Sequence, residues 1–395
     1  MHEFVSSPWG GRVHSGQDAL AALPEEPRRA GIRRPMILCG HSVAHKTALI
    51  SHIKHRSKGL AFNVFDGIQK EAPLECINAA VVAAQAQHAD GLIAVGAGSV
   101  IKAARVVAIL LAEDRPLEQL ITRYPEHGPA VSARLDAPKL PIINVLTAPT
   151  SAQCRAGSAI SSLAHSHRLE FYDPKTRPRA IFWDFDALLT APAGLMRTAS
   201  ASVYWRALMN MGLIEQANPL VEGQRLQAFR LVNRAMCRLG DQTPPAARLD
   251  LCAAALLQNR DEDDGGSPMQ AHWIARLVYA LSASVFTLHP QVSQGDAVAA
   301  LTGTAIRHGQ PYARAAIAGI GHALNLATDS PNQVAAAAQA AFQKFGLATR
   351  LRDLGIARQD LPALHQFSLK CFNADRHREF EKHPELIQTI LIDAW

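Results

Sequence analysis

The sequence predicts an α/β domain with a mostly parallel sheet, followed by an all-helical domain. The first observation is that short apolar runs alternate with helical patterns up to about residue 185, which is typical of βαβ units. The second is that strand signals nearly vanish beyond that point, where helical patterns dominate. The third is size, because 395 residues, 48% of them hydrophobic, suffice for two cores. We therefore expect domains at 1–185 and 186–395.

Each element is predicted from its local pattern. Continuous apolar runs bounded by turn residues predict buried strands at 35–39, 60–65, 91–95, 141–146 and 180–183. Helical patterns between them cover 42–54, 74–88 and the stretch from the turn after the third strand to about 111. In the second domain they cover 195–211, 224–239, 246–258, 270–283, 296–307, 313–326 and 333–345. A polar, glycine-containing segment at 261–268 is expected to be an exposed loop.

Composition restricts the classes of function. Lys and Arg total 40 against 34 Asp and Glu, and the formal charge of +6 fits a small anionic substrate or cofactor. Because no basic block interleaves with aromatic residues, we expect no nucleic-acid partner. The most apolar stretch, 91–112, contains Lys102 and Arg105, so we expect no membrane span. Six scattered cysteines and an N-terminus unlike a signal peptide predict a reduced, cytoplasmic protein.

The sharpest local signal is a glycine-rich turn between the third strand and the next helix. It consists of Gly96, Ala97, Gly98 and Ser99. Glycine lets the backbone approach a ligand closely, and the free amides of a helix N-terminus favour an anion, so the turn predicts a diphosphate site. It lacks the Gly-x-Gly-x-x-Gly spacing of the usual dinucleotide fingerprint, and a plain tight turn is the alternative.

Polar side chains extend this predicted site. Thr147 and Thr150 follow the fourth strand, at the carboxyl edge where open α/β sheets bind ligands. A turn stabilised by hydroxyl groups is the alternative for them. On the helix after the glycine-rich turn, Lys102 and Arg105 would strengthen anion binding, unless they form a solvated helix face.

Further segments complete a pattern, namely 11–24, 64–68, 141–151, 351–356, 393–395, Asn373 and Gln294-Gly295-Asp296-Ala297. In this order and spacing, they resemble the iron-containing alcohol dehydrogenase family, and within it the maleylacetate reductase branch. In that family the glycine-rich turn is Gly-Gly-Gly-Ser, and the segment at 294–297 is His-Gly-Glu-Ala. The resemblance implies the dehydroquinate synthase-like fold, with an N-terminal NAD(P)-binding domain. It also implies a helical domain that lines the catalytic cleft and holds a divalent metal through one Asp and three His.

The family's metal ligands have no counterpart here. In the register that the resemblance sets, the ligand Asp falls at Ser202, and the ligand histidines fall at Arg206, Ala280 and Gln294. A further family histidine that is not a ligand falls at Ser284. Because transition metals require imidazole, thiolate or carboxylate donors, we expect no metal at these positions.

An arginine at a metal position leads to a specific hypothesis. A fixed cation in a dry pocket stabilises a developing alkoxide or holds a carboxylate, so Arg206 would replace the metal's charge, with help from Gln294. Ser202 and Ser284 complete the predicted catalytic set. A decayed or repurposed site is the alternative.

A second register would place the last family histidine on His289. Its partners would then be Ala275 and Tyr279, so no metal set forms in that register either. The proton donor is left open among side chains for which simple packing is the alternative, namely His272, Tyr204, Trp205, Tyr279 and His289.

The nucleotide and the function follow from the same resemblance. The family's ribose-binding Asp falls near Gly40, followed by His41, so NADH and NADPH are both allowed. The sequence therefore predicts a metal-independent, NAD(P)H-dependent reductase of a small carbonyl or keto acid. A non-redox lyase or isomerase and a non-catalytic partner subunit are the alternatives. We expect a homodimer, because relatives often pair through an N-terminal strand, a role that residues 4–7 would fill.

Overall fold

The structure is a computed structural model that describes residues 3–57, 61–125, 128–162, 164–165, 167–266, 271–371 and 374–395. The chain divides into two compact units. The α/β unit comprises Trp9–Glu126 and Ala130–Pro192, and the helical unit comprises Met1–Pro8, His127–Pro129 and Ala193–Trp395. The division falls slightly later than residue 185, because Asp184 caps a short helix that continues the α/β unit.

Six parallel strands form the sheet of the α/β unit. Their bounds are β1 Arg12–Gly16, β2 Pro35–Cys39, β3 Asn63–Phe65, β4 Gly91–Gly96, β5 Ile142–Leu146 and β8 Ala180–Asp184. The order across the sheet is β1-β8-β5-β4-β2-β3. Strands β2, β4, β5 and β8 are buried throughout, which explains their continuous apolar runs. The predicted parallel sheet is confirmed, and Leu60 of the predicted second strand lies outside the described residues.

Three strands were not predicted from the sequence. The edge strand β1 is largely polar, so it carries no apolar run. The other two, β6 Gly157–Ile160 and β7 Leu169–Tyr172, form a separate antiparallel pair. The helices of this unit are α1 Glu25–Arg29, α2 His41–Lys46, α3 Leu49–Arg56, α4 Leu74–Ala86, α5 Gly98–Ala112 and α6 Phe185–Leu189.

The helix predicted at 42–54 is in fact two helices, α2 and α3. Thr47 interrupts it with an extended backbone. Its hydroxyl donates to the Val43 carbonyl over 2.7 Å and accepts from the Leu49 amide over 3.3 Å. A threonine side chain that bonds the backbone in this way competes with the helical ladder, which periodicity alone does not reveal.

Nine helices account for most of the described part of the second unit, so its predicted helical character is confirmed. They are α7 Ala193–Met211, α8 Pro219–Met236, α9 Pro245–Asp263, α10 Trp273–Leu288, α11 Gln294–His308, α12 Gln310–Ala323, α13 Pro331–Lys344, α14 Leu361–Ser368 and α15 Pro384–Ala394. Gln270, predicted to begin a helix, lies outside the described residues, as does Asn373 of the C-terminal motif. Within the described ranges, no helix is long and apolar enough to cross a membrane.

The loop predicted at 261–268 is partly wrong. Asp261 is buried inside α9, where one carboxylate oxygen lies 3.0 Å from both Nε and Nη2 of Arg225. This ion pair explains an acidic residue in a buried helix. Residues 267 and 268 lie outside the described residues.

The N-terminal segment 4–7 forms no strand with any other segment of this chain. The Ser7 amide donates to the Asp263 carbonyl, and the Ser6 hydroxyl donates to the Asp264 carboxylate, both over 2.6 Å. These contacts hold the segment against the end of α9, within the helical unit.

Candidate functional site

The glycine-rich turn lies at the carboxyl edge of the parallel sheet, as predicted. Strand β4 ends at Gly96 and α5 begins at Gly98, and residues Ala97, Gly98 and Ser99 are half-buried. The Thr147 amide donates to the Gly96 carbonyl over 3.1 Å, which joins the end of β5 to the turn. The free amides at the N-terminus of a 15-residue helix therefore face a ligand-accessible edge.

Thr150 lies against this turn, whereas the side chain of Thr147 is buried. A Cβ added to Gly98 would lie 3.1 Å from the Thr150 hydroxyl oxygen, so the glycine permits this close approach. The same hydroxyl accepts from the Ala152 amide over 3.1 Å. Thr150 therefore lies beside the turn, whereas Thr147 contacts the turn through its backbone amide and its side chain is buried.

Lys102 has an internal partner that the sequence did not reveal. Its ammonium lies 3.0 Å from the Glu71 carboxylate, which also accepts from Arg168 over 3.1 Å. Burial alone would raise the pKa of Glu71, but the charges of Lys102 and Arg168 outweigh it and lower that pKa to about 2. Lys102, which we predicted to strengthen anion binding, therefore belongs to an ion-paired trio with one excess positive charge.

Ser99 and Arg105 also make structural contacts. The Ser99 hydroxyl accepts from the Glu71 amide over 3.0 Å, so it fixes the loop that carries Glu71. Arg105 is fully buried and donates to Ser158 Oγ over 2.9 Å and to the Ala152 carbonyl over 2.6 Å. Burial lowers the pKa of Arg105 to about 9. Arg105 is therefore not on a solvated face, and it anchors the loop that contains Thr150.

In the helical unit, a row of half-buried polar residues runs along α7. Between 203 and 211, all residues of this helix are buried except Arg206 and Asn210. Ser202, one turn before Arg206, is also half-buried. Residues spaced by four lie on one face of a helix, so these three polar side chains form a single row, called here the α7 stripe. Asn210 was not among the predicted site residues, although its spacing of four from Arg206 places it on the same helix face.

Gly295 brings the start of α11 against this part of α7. A Cβ at Gly295 would lie 1.9 Å from the Thr198 carbonyl oxygen and 3.0 Å from the Ala201 Cβ. Gln294, the first residue of α11, is half-buried, and the preceding Ser293 caps the helix. The close contact therefore places Gln294 next to the turn of α7 that leads into Ser202.

Ser284 is not part of this surface. It has no exposed area, and its hydroxyl donates to the Leu281 carbonyl of its own helix over 2.7 Å. Ala280, one turn earlier on α10, is also fully buried. Packing of α10 thus leaves Ser284 no surface to present to a substrate, contrary to the sequence expectation.

In the register that the resemblance sets, the residues at the family's metal positions do not suit a transition metal. Ser202, Arg206, Ala280 and Gln294 provide no imidazole, thiolate or carboxylate, and a guanidinium stays protonated. Together they provide one cation and one side-chain amide.

Two of the proton-donor candidates have packing or pairing roles. Tyr204 lies in an aromatic cluster with Phe342 and Phe345, and burial raises its pKa to about 12. His289 Nε2 lies 3.6 Å from an Asp360 carboxylate oxygen. Tyr204 is therefore a poor acid for a substrate in this unit, and His289 has a carboxylate partner.

His272 has a structural role that predicts a pH dependence of stability. Its Nδ1 accepts from the Ala275 amide at the start of α10, and its Nε2 donates to the Met209 carbonyl over 3.0 Å. Burial lowers its pKa from 6.5 to about 4, so between these values the unfolded chain binds a proton that the folded chain excludes. We expect the free energy of unfolding to fall by about 3 kcal/mol as the pH falls through this window.

Urea unfolding at pH 7 and pH 4.5 measures this loss. Asn accepts the same N-cap bond without titrating, so the difference between His272→Asn and the wild type isolates the histidine's contribution. An identical pH dependence in both proteins would exclude this role for His272.

Comparison with known proteins identifies the α/β part of the chain. Residues 10–185 match the family described as iron-containing alcohol dehydrogenase. A 4-hydroxybutyrate dehydrogenase from Cupriavidus necator is 32% identical over 46% of each chain. A maleylacetate reductase from Cupriavidus pinatubonensis is 31% identical over 28% of this chain and 30% of its own. The chain thus matches less than half of either relative, whereas a lactaldehyde reductase from Escherichia coli is 22% identical over 90% of each chain.

Solved structures show that the whole chain has this family's fold. An NADH-dependent butanol dehydrogenase from Thermotoga maritima superimposes with a TM-score of 0.82 at 16% identity, over 100% of both chains. A maleylacetate reductase from Agrobacterium tumefaciens superimposes with a TM-score of 0.72 at 17% identity, over 100% of this chain and 99% of its own. The predicted fold is therefore confirmed.

Proposed function

Residues 10–185 form a domain of the iron-containing alcohol dehydrogenase family, and from this premise we propose that the chain is an NAD(P)H-dependent reductase of a small carbonyl acid. The matched relatives are named dehydrogenases and reductases, which supports the redox class. The observation that carries the proposal is Arg206, a half-buried arginine at a position where the resemblance places a metal ligand of the family.

The α/β unit supplies the nucleotide site. The backbone amides of Gly98 and Ser99 would hold the pyrophosphate, with the Thr150 hydroxyl beside them and a net positive trio around Lys102 nearby. NAD(P)H, when bound, supplies the hydride. The chain's part is to orient the dinucleotide along the edge where β4 and β5 end.

The α7 stripe supplies the substrate site. Arg206 would bind the substrate's carboxylate or carbonyl oxygen, and the negative charge that develops on that oxygen strengthens the interaction in the transition state. Gln294 contributes an amide donor, and Ser202 and Asn210 extend the polar row. We propose no metal in this reaction, because the register positions provide no donors for one.

Carbonyl acids are the favoured substrates because the site's one cation suits a carboxylate. Two relatives are named for small carboxylic acids, the keto acid maleylacetate and the hydroxy acid 4-hydroxybutyrate. A small anionic substrate also fits the overall charge of +6. We propose that the active species is a homodimer that pairs through the N-terminal segment, residues 4–7.

Fluorescence titration of metal-analysed protein with NADH and NADPH tests the nucleotide site. We expect saturable binding of at least one of them, and its loss in Gly98→Val, because a side chain there crowds Thr150. Gly10→Val is the matched control, since a Cβ at Gly10 meets no atom within 4 Å. Failure of the wild-type chain to bind either nucleotide would overturn the reductase proposal. A non-redox lyase or isomerase, or a partner subunit, would then be favoured.

A further inference from the structure

A second polar cluster lies in the α/β unit. It consists of His41, His45 and Asp66, whose ligand-type atoms all lie within 4.8 Å of one another. In the described ranges, it is the one such group of at least three His, Cys, Asp or Glu side chains. Neither the family's metal positions nor the substrate site proposed on the α7 stripe uses any of the three, although the family's ribose-binding Asp falls near Gly40, next to His41.

The two histidines are held on one side of a short helix. His41 is the first residue of α2 and His45 follows one turn later, a spacing that places both rings on the same face. Their ring centroids are 4.3 Å apart. Two imidazoles at this spacing are a common arrangement for binding one metal ion.

Backbone contacts fix the third residue beside them. Asp66 directly follows β3, and Gly67 pairs in an isolated bridge with Gly40 at the end of β2. The Ile68 amide donates to the Cys39 carbonyl over 3.2 Å. A Cβ at Gly40 would lie only 3.1 Å from the Ile68 carbonyl oxygen, so the glycine allows these loops to approach. The carboxylate and the imidazoles are therefore brought together by the ends of two neighbouring strands.

The distances and exposure suit capture of an ion from solvent. Asp66 Oδ2 lies 2.5 Å from His45 Nε2 and 4.0 Å from His41 Nδ1. Donor atoms around a tetrahedral zinc ion lie about 3.3 Å apart. Side-chain rotations that move the donor atoms by about 1 Å would therefore bring them to the spacing that one ion requires. Such rotations are available, because the His41, His45 and Asp66 side chains are 73%, 55% and 41% exposed.

We propose that His41, His45 and Asp66 form a binding site for one divalent transition-metal ion, with water in the remaining coordination positions. Two imidazoles and one carboxylate favour Zn²⁺, Ni²⁺ or Co²⁺ over the hard ions Mg²⁺ and Ca²⁺. The site is separate from the metal positions of the family, which lie in the helical unit, and it does not depend on the proposed reductase activity.

Calorimetric titration of chelator-treated full-length chain with Zn²⁺ tests the site, and Co²⁺ absorption spectra report the coordinating ligands. We expect one tight site in the wild type, and a loss of affinity of about tenfold or more in His45→Asn and in Asp66→Asn. His52→Asn is the matched control, an exposed histidine on the next helix, and we expect it to stay within about twofold of the wild type. Equal affinity in all four proteins would overturn the proposal.

Chemical modification provides a second measurement on the unaltered chain. Diethyl pyrocarbonate modifies accessible imidazoles, so bound Zn²⁺ should slow modification of His41 and His45 but not of His52, as read by mass spectrometry. Equal rates with and without Zn²⁺ would mean that the three side chains form only a solvated hydrogen-bonded cluster. Circular dichroism of each variant checks that the fold is retained.

Discussion

Replacing Arg206 by alanine is expected to lower kcat for the preferred carbonyl acid by about 10²–10³-fold. The physical reason is the loss of the cation on the α7 stripe, which we propose stabilises the negative charge that develops on the substrate oxygen. Loss of one such donor typically costs about 3–4 kcal/mol of transition-state stabilisation. Steady-state kinetics with NADH or NADPH at saturation measures the change.

The division of the effect between kcat and KM distinguishes two roles for the guanidinium. A lower kcat indicates an interaction made in the transition state, whereas a higher KM alone indicates that Arg206 holds the substrate's carboxylate in the ground state. Arg206→Lys should be intermediate, because the charge is kept but the bidentate geometry is lost.

The matched control is Arg197→Ala, which removes an exposed arginine from the same helix and should leave the kinetics unchanged. Dialysis of the wild type against a chelator should also leave the activity unchanged, because the metal positions provide no donors. An Arg206→Ala protein with wild-type kcat and KM would refute the substrate site, and a chelator-sensitive wild type would refute metal independence.

Replacing Gly295 by alanine is expected to destabilise the chain by about 3 kcal/mol or more. The added Cβ would lie 1.9 Å from the Thr198 carbonyl oxygen, which is backbone and cannot rotate away. Helix α11 must therefore move from α7, and Gln294 moves with it. We expect a lower urea midpoint together with reduced reductase activity in the folded fraction.

Gly223→Ala is the matched control for this prediction. Gly223 is an exposed residue within α8, and a Cβ there meets no atom within 4 Å. Because alanine favours a helix over glycine, this change should stabilise the chain by about 0.5–1 kcal/mol. If the two variants had the same unfolding midpoint, the close contact of Gly295 with α7 would not contribute to the stability of the chain.

Local patterns in the sequence were sufficient for much of the fold. Buried strands such as β4 and β5 are continuous apolar runs, and the turn at 96–99 follows one of them directly. Ser202, Arg206 and Gln294 carry no imidazole, thiolate or carboxylate, and this follows from their residue types whatever the fold. These features are carried by consecutive residues or by a fixed register, so the sequence by itself determined them.

Only the tertiary structure shows which side chains contact each other. Lys102 finds its countercharge on Glu71, 31 positions earlier, and Asp66 meets His45 because β2 and β3 are neighbours in the sheet. Ser284 lost its predicted role because packing of α10 covers it. Periodicity reports which face of an element is apolar, but it does not report which other segment that face meets. The ion pair of Lys102 with Glu71, the burial of the Ser284 hydroxyl and the cluster of His41, His45 and Asp66 all depend on which segments meet.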